Sequence, residues 1–184
     1  MRGSRHRSAS PFSSRAPPLA CPPLTSIKRA STSPPALRRV YPEAPVVAVA
    51  ALVLRGDELL LVRRASEPGK GKWSIPGGVV GLGERLREAV VREVHEETGL
   101  VIEVLDLLDV VEVIKRDEGG RVKYHYVIID YLARPLSGRV RAASDALEAR
   151  WVRLEDAPKL DITNTLRRLL ERHWERLASL AELG

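Results

Sequence analysis

The chain has 184 residues and a net charge of +6, enough for one domain with a hydrophobic core plus a tail. No apolar run reaches the roughly 20 residues that span a bilayer, so neither a transmembrane helix nor membrane association is expected. The one cysteine, Cys21, permits neither an internal disulfide nor a cysteine-built zinc site, which fits a reducing, cytoplasmic setting.

Residues 1–42 hold eight of the 30 Lys and Arg and none of the 24 Asp and Glu, so they carry +8 and the rest of the chain −2. The basic excess belongs to this stretch, and no nucleic-acid partner is expected for the remainder. Rich in Ser, Pro, Arg and Ala, with Phe12 its only aromatic before Tyr41, the stretch is expected to be a disordered extension. Its acid-free Arg and Ser content is that of an organellar transit peptide. The single Asn, the lack of Gln and the abundant Arg and Glu are instead hyperthermophile composition. A non-functional extension, or a start codon placed too early, is therefore preferred over a targeting segment.

From residue 43 to 182 the texture is that of a folded domain. Residues 46–54 form an apolar run of strand length, 55–58 a turn, and 59–62 a second strand, which together predict a hairpin. A loop at 66–72 leads to Trp73, Ser74 and Ile75, then to Pro76, Gly77 and Gly78. A helix is predicted over 84–98, stopped by Gly99 where a left-handed cap is favoured. Residues 101–114 and 122–133 read as long strands joined through Asp117, Glu118, Gly119 and Gly120. A shorter strand at 149–154 precedes a helix from about 163 to 180, with Leu166, Leu169, Leu170, Trp174 and Leu177 at helical spacing. Interleaved strands and helices make the class α/β or α+β.

The helix at 84–98 contradicts its own pattern. Leu86, Ala89 and Val90 define an apolar face that should continue at 93 and 97. Glu93 and Glu97 stand there instead, with Glu96 three residues from Glu93. The pair is like-charged at i,i+4, lies where the helix dipole opposes negative charge, and faces inward, where carboxylates are costly to desolvate. Mg²⁺ or Mn²⁺ would relieve all three penalties, since hard cations take carboxylate oxygens. The competing reading is a solvated acidic helix end, with Arg92 paired to Glu88 or Glu96. The double glycine just upstream lets backbone approach a ligand and exposes carbonyl oxygens, which makes Gly77 a candidate substrate contact and Gly78 a candidate metal contact.

Gly78, Glu84, Arg92, Glu93, Val94, Glu96, Glu97, Gly99 and Leu100 together resemble the Nudix box: Gly, five residues, Glu, seven residues, Arg-Glu-aliphatic, one residue, Glu-Glu, one residue, Gly-aliphatic. The resemblance implies an α/β/α sandwich with a mixed sheet, and metal-dependent hydrolysis of a nucleoside diphosphate linked to another group. It implies that Glu93, Glu96, Glu97 and the Gly78 carbonyl hold the metal, and that Arg92 orients a glutamate. In some family members the glutamate at the position of Glu93 is the base toward water; in others a later loop carboxylate is, for which Asp145 and Glu148 are the candidates. Gly81 departs from many relatives, which carry glutamate there.

Trp73, Tyr124, Tyr126 and Tyr131 could stack on a base, although alternating residues on a strand more often pack in the core. His125 is expected on a strand face and His95 on the outer helix face. Asn164, opening the last helix, either reads a purine edge or caps the helix, with Asp161 and Thr163 as rivals for the cap. An ADP-ribose-like substrate is preferred, giving AMP and a phosphorylated product, although Lys115 and Arg116 fill the region where ADP-ribose-binding relatives carry a proline. The alternatives are a nucleoside triphosphate pyrophosphohydrolase that removes oxidised nucleotides, and a non-catalytic Nudix-like binding or regulatory module. A homodimer is left open.

Overall fold

The structure is a computed structural model that describes residues 38–143 and 146–182. At its centre β1 (Val46–Arg55) runs parallel to β6 (Val122–Ser137), which pairs antiparallel with β5 (Val101–Arg116). On its other edge β1 takes the short β4 (Gly77–Val79), and its end turns back into β2 (Glu58–Arg64). Both β3 (Trp73–Ser74) and β7 (Ala146–Arg153) pair antiparallel with β2. One parallel pair among antiparallel ones makes the expected mixed sheet.

Successive side chains of a strand leave opposite faces, and β1 sorts the core accordingly. Val49, Ala51 and Val53 pack with Ala89, Val90 and Val94 of α1 (Leu86–Thr98). Ala50 and Leu52 pack with Leu166, Leu169, Leu170 and Leu177 of α2 (Asn164–Glu182). The two helices cover opposite faces, which is the α/β/α sandwich. In β2, Leu59 and Leu61 point to the α2 side and Leu60 to the α1 side, all fully buried. Each contributes about 1.5–3 kcal/mol, and burial on both faces explains why this run shows no polar alternation. Among the described residues, no helix is long and apolar enough to cross a membrane.

Several boundaries differ from expectation. The predicted helix at 84–98 begins at Leu86, because Glu84 gives its carboxylate to the Gly81 amide and to Arg92. Leu86 itself is 37% exposed, and Val94 takes the buried place on that face. Strands β5 and β6 reach Arg116 and Ser137, carried past their apolar runs by pairing with each other. The ordered body also starts before residue 43. The Tyr41 amide donates to the Lys123 carbonyl and its hydroxyl to Asp117, while Arg121 lies over its ring. Residues 1–37 of the expected disordered extension lie outside the described residues.

Candidate active site

Arg92 organises the box. Its Nε and Nη2 donate to the two oxygens of Glu84 at 2.7 and 2.9 Å, and its Nη1 to Glu93 at 2.7 Å and Glu96 at 3.3 Å. A further bond reaches the Val79 carbonyl in β4. The forked guanidinium is suited to holding several carboxylates in one plane. Of the two partners the solvated-helix reading offered Arg92, Glu96 is used and Glu88 is not. Glu84 is in turn fixed by the Gly81 amide at 2.8 Å, so Gly81 contributes through its backbone. The Arg92 hydrogen bond holds the Glu84 carboxyl below its ordinary range, with burial opposing.

Glu93 behaves differently. Burial pushes its carboxyl above the ordinary range, and the Arg92 hydrogen bond and charge only partly offset this. A cation beside it would supply the missing compensation. Gly78 forms the cradle: a Cβ there would overlap the Glu93 carboxylate. Glu97 is 8% exposed and accepts the Gly77 amide at 3.0 Å. These oxygens suit a hard divalent cation in kind. Among the described residues no three His, Cys, Asp or Glu side chains are gathered closely enough to cage one, since Arg92 holds Glu93 and Glu96. Glu93 stands three and four residues before Glu96 and Glu97, spacings that make it a surface neighbour of each on the helix.

The Gly77 position needs glycine for another reason: a Cβ there would overlap the Val49 carbonyl and the Ala50 Cα of β1. Its amide serves Glu97, and it lines a cleft of about 610 Å³ that also includes Gly78, Glu93, Glu97, Tyr124, Tyr126, Ile128, Asp130 and Asn164. That volume is in the range of small-molecule sites, roughly 300–1,000 Å³.

Two candidate site residues, Trp73 and Glu148, lie away from the cleft. Trp73 does not face the cleft; it is buried in the α2-side core with the Arg150 guanidinium over its ring. Tyr131 likewise packs in the α1-side core, leaving Tyr124 and Tyr126 at the cleft. Glu148 stands in β7 opposite Arg63, 3.8 Å from Arg150, and does not line the cleft. Asp145 lies outside the described residues. The segment before it docks on the end of α1, with the Arg141 and Ala143 amides donating to the Thr98 and Glu97 carbonyls.

Asn164 does not cap α2. Thr163 does, its Oγ1 accepting the Leu166 amide at 3.3 Å, which leaves the Asn164 side chain exposed at the cleft. His125 pairs with Glu112, and His95 is exposed, as expected. Sequence reasoning missed Asp130, a buried acid on the cleft floor; a lone acid inside an apolar strand was its signal.

An α/β/α sandwich whose helix presents Arg-Glu and Glu-Glu behind a double glycine is the Nudix arrangement. Residues 44–173 match the NUDIX domain, and the chain belongs to that family. Over 116 residues it is 40% identical to an ADP-ribose pyrophosphatase from Methanocaldococcus jannaschii, covering 63% of this chain and 66% of that protein. Over 122 residues it is 34% identical to the 8-oxo-dGDP phosphatase NUDT18 of Homo sapiens, covering 64% of this chain and 35% of that protein. The chain therefore spans just under two thirds of the first relative and about a third of the second. A solved MutT NUDIX hydrolase from Burkholderia pseudomallei matches with a TM-score of 0.63 and 35% identity, over 70% of this chain and 98% of that one.

Proposed function

We propose that the protein hydrolyses the diphosphate linkage of an ADP-ribose-like nucleoside diphosphate derivative, giving AMP and a phosphorylated product. The observation that carries this reading is one cleft joining the Glu93, Glu97 and Gly78 end to an aromatic and apolar floor of nucleoside dimensions. The similarity to an ADP-ribose pyrophosphatase supports the same substrate class.

Glu93, Glu96, Glu97 and the Gly78 carbonyl would hold Mg²⁺ or Mn²⁺. Bound there, the cation would offset the charge of the diphosphate oxygens and make an attacking water more acidic. Arg92 fixes the direction of Glu93 and keeps Glu84 ionised beside it. The base toward water is Glu93 or Asp145. Burial favours proton uptake by Glu93, whereas Asp145 is the loop candidate that follows Ala143, whose amide donates to the Glu97 carbonyl. Asp145→Asn lowering kcat by more than about threefold, with KM little changed, would assign the base to the loop. Arg92→Lys is expected to remain folded and to lose about ten- to a hundredfold in kcat, since one ammonium cannot reproduce the fork; steady-state kinetics beside circular dichroism checks both halves.

A second reading, removal of oxidised purine nucleotides, draws on the exposed Asn164 amide at the cleft and on the likeness to an 8-oxo-dGDP phosphatase. ADP-ribose, 8-oxo-dGDP and 8-oxo-dGTP assayed separately below saturation separate the two, because kcat/KM measures discrimination. ADP-ribose is expected to lead, releasing AMP and ribose 5-phosphate. An oxidised purine ahead by about tenfold, with the advantage erased in Asn164→Ala, would replace the first reading by the second.

A further inference from the structure

Asp130 is 4% exposed, and its carboxyl has no hydrogen-bond or ion-pair partner among the described residues. It sits in β6 opposite Ala50 of β1, which in turn opposes Gly77 of β4, the residue whose amide holds Glu97. Two strand spacings, about 10 Å, thus separate its backbone from the catalytic end of the cleft. That is roughly the reach from the six-membered edge of a purine to its 5′-phosphate. Tyr126 and Ile128 precede it at alternate positions on the same strand face, and Leu166 and Leu169 of α2 complete an apolar surround. No buried side-chain nitrogen or oxygen among the described residues lacks a partner, so the Asp130 oxygens, which have none among those residues, keep contact with the open cleft, where a ligand can reach them.

We infer that Asp130 reads the base of the substrate, its carboxyl pairing with the N1 and 6-amino edge of an adenine lying in the cleft beside Tyr126, Ile128 and Leu169. This rests on, and narrows, the adenine-nucleotide reading above. The chemistry of the edge decides between ligand groups. Burial, aided by the charge of Asp109 across the β5–β6 pair, pushes the Asp130 carboxyl up to about 7. In its neutral form it offers one O–H donor and one carbonyl acceptor side by side. Adenine presents the complement, an acceptor at N1 beside an N–H donor at the 6-amino group.

The test is calorimetric binding of AMP and of purine riboside 5′-monophosphate, which lacks the 6-amino group, to the full chain. Both ligands carry the same phosphate, so their ratio reports the base edge alone. The wild type is expected to bind AMP at least about tenfold more tightly, because a site built around a hydrogen bond rejects the analogue lacking it. Asp130→Ala should bring AMP down to the level of the analogue. Asp130→Asn should keep the preference within about threefold, since an amide offers the same donor and acceptor to adenine. In turnover, Asp130→Ala should raise KM for ADP-ribose and leave kcat within about threefold. The wild-type comparison needs no variant to fold. A wild type indifferent to the 6-amino group, or an Asp130→Ala protein that keeps the AMP preference, overturns the assignment. Failure to hydrolyse ADP-ribose while the AMP preference persists overturns only the substrate reading.

Discussion

Glu97→Gln is expected to lower kcat by at least about three orders of magnitude while the protein stays folded. The substituted amide has the shape of the carboxylate, and its carbonyl can still accept the Gly77 amide that Glu97 now accepts at 3.0 Å. What it removes is one negative charge at the buried end of α1, the charge that a bound cation would use under the proposed function. Kinetics at saturating Mg²⁺, with a thermal melt alongside, measures both. A variant within tenfold of the wild type would show that Glu97 is not a ligand; a melting temperature far below the wild type would show that its charge is structural.

The second large effect is expected at Gly78. A methyl group there would overlap the Glu93 carboxylate, the far end of a flexible side chain, so the fold should survive by displacing Glu93. Displacement breaks the Arg92–Glu93 bond and misplaces a reacting group by about 1 Å or more, which costs on the order of 10²-fold in rate. Gly77→Ala makes the instructive contrast. Its methyl group would meet the backbone of β1 at Val49 and Ala50, which cannot rotate away, so stability should fall by about 3 kcal/mol or more. Urea unfolding and kcat measured on both variants should therefore separate: rate lost at 78, stability lost at 77.

Much of this was legible in the sequence, for identifiable reasons. The inward carboxylates at 93 and 97 violate the helical apolar pattern, and only a bound cation or a polar network explains such a violation. The structure supplies both the network, through Arg92, and the cradle, through Gly78. The hairpin of β5 and β6 and both helices follow from periodicity and from the glycine cap, with Gly99 at φ 73°. Less could be read where position depends on register. Trp73 and Tyr131 carry the same stacking chemistry as Tyr126, yet strand alternation and pairing bury them in the core. Glu148 has the right charge for a base, but pairing of β7 with β2 sets it opposite Arg63 and away from the residues that line the cleft. Asn164 is equally suited to capping in sequence terms, and only the Thr163 hydroxyl on the Leu166 amide frees it for the cleft. Asp130 belongs to neither helix nor motif, so its meaning emerges only once β1, β4 and β6 lie side by side.

Hydrolysis of ADP-ribose by the full chain, followed by product identification during a titration of Mg²⁺ or Mn²⁺ into metal-stripped protein, tests the central claim most directly. The account predicts no turnover in chelator, and release of AMP and ribose 5-phosphate in step with cation binding. Undiminished turnover in chelator, or tight binding of ADP-ribose with no products at any cation concentration, would contradict it.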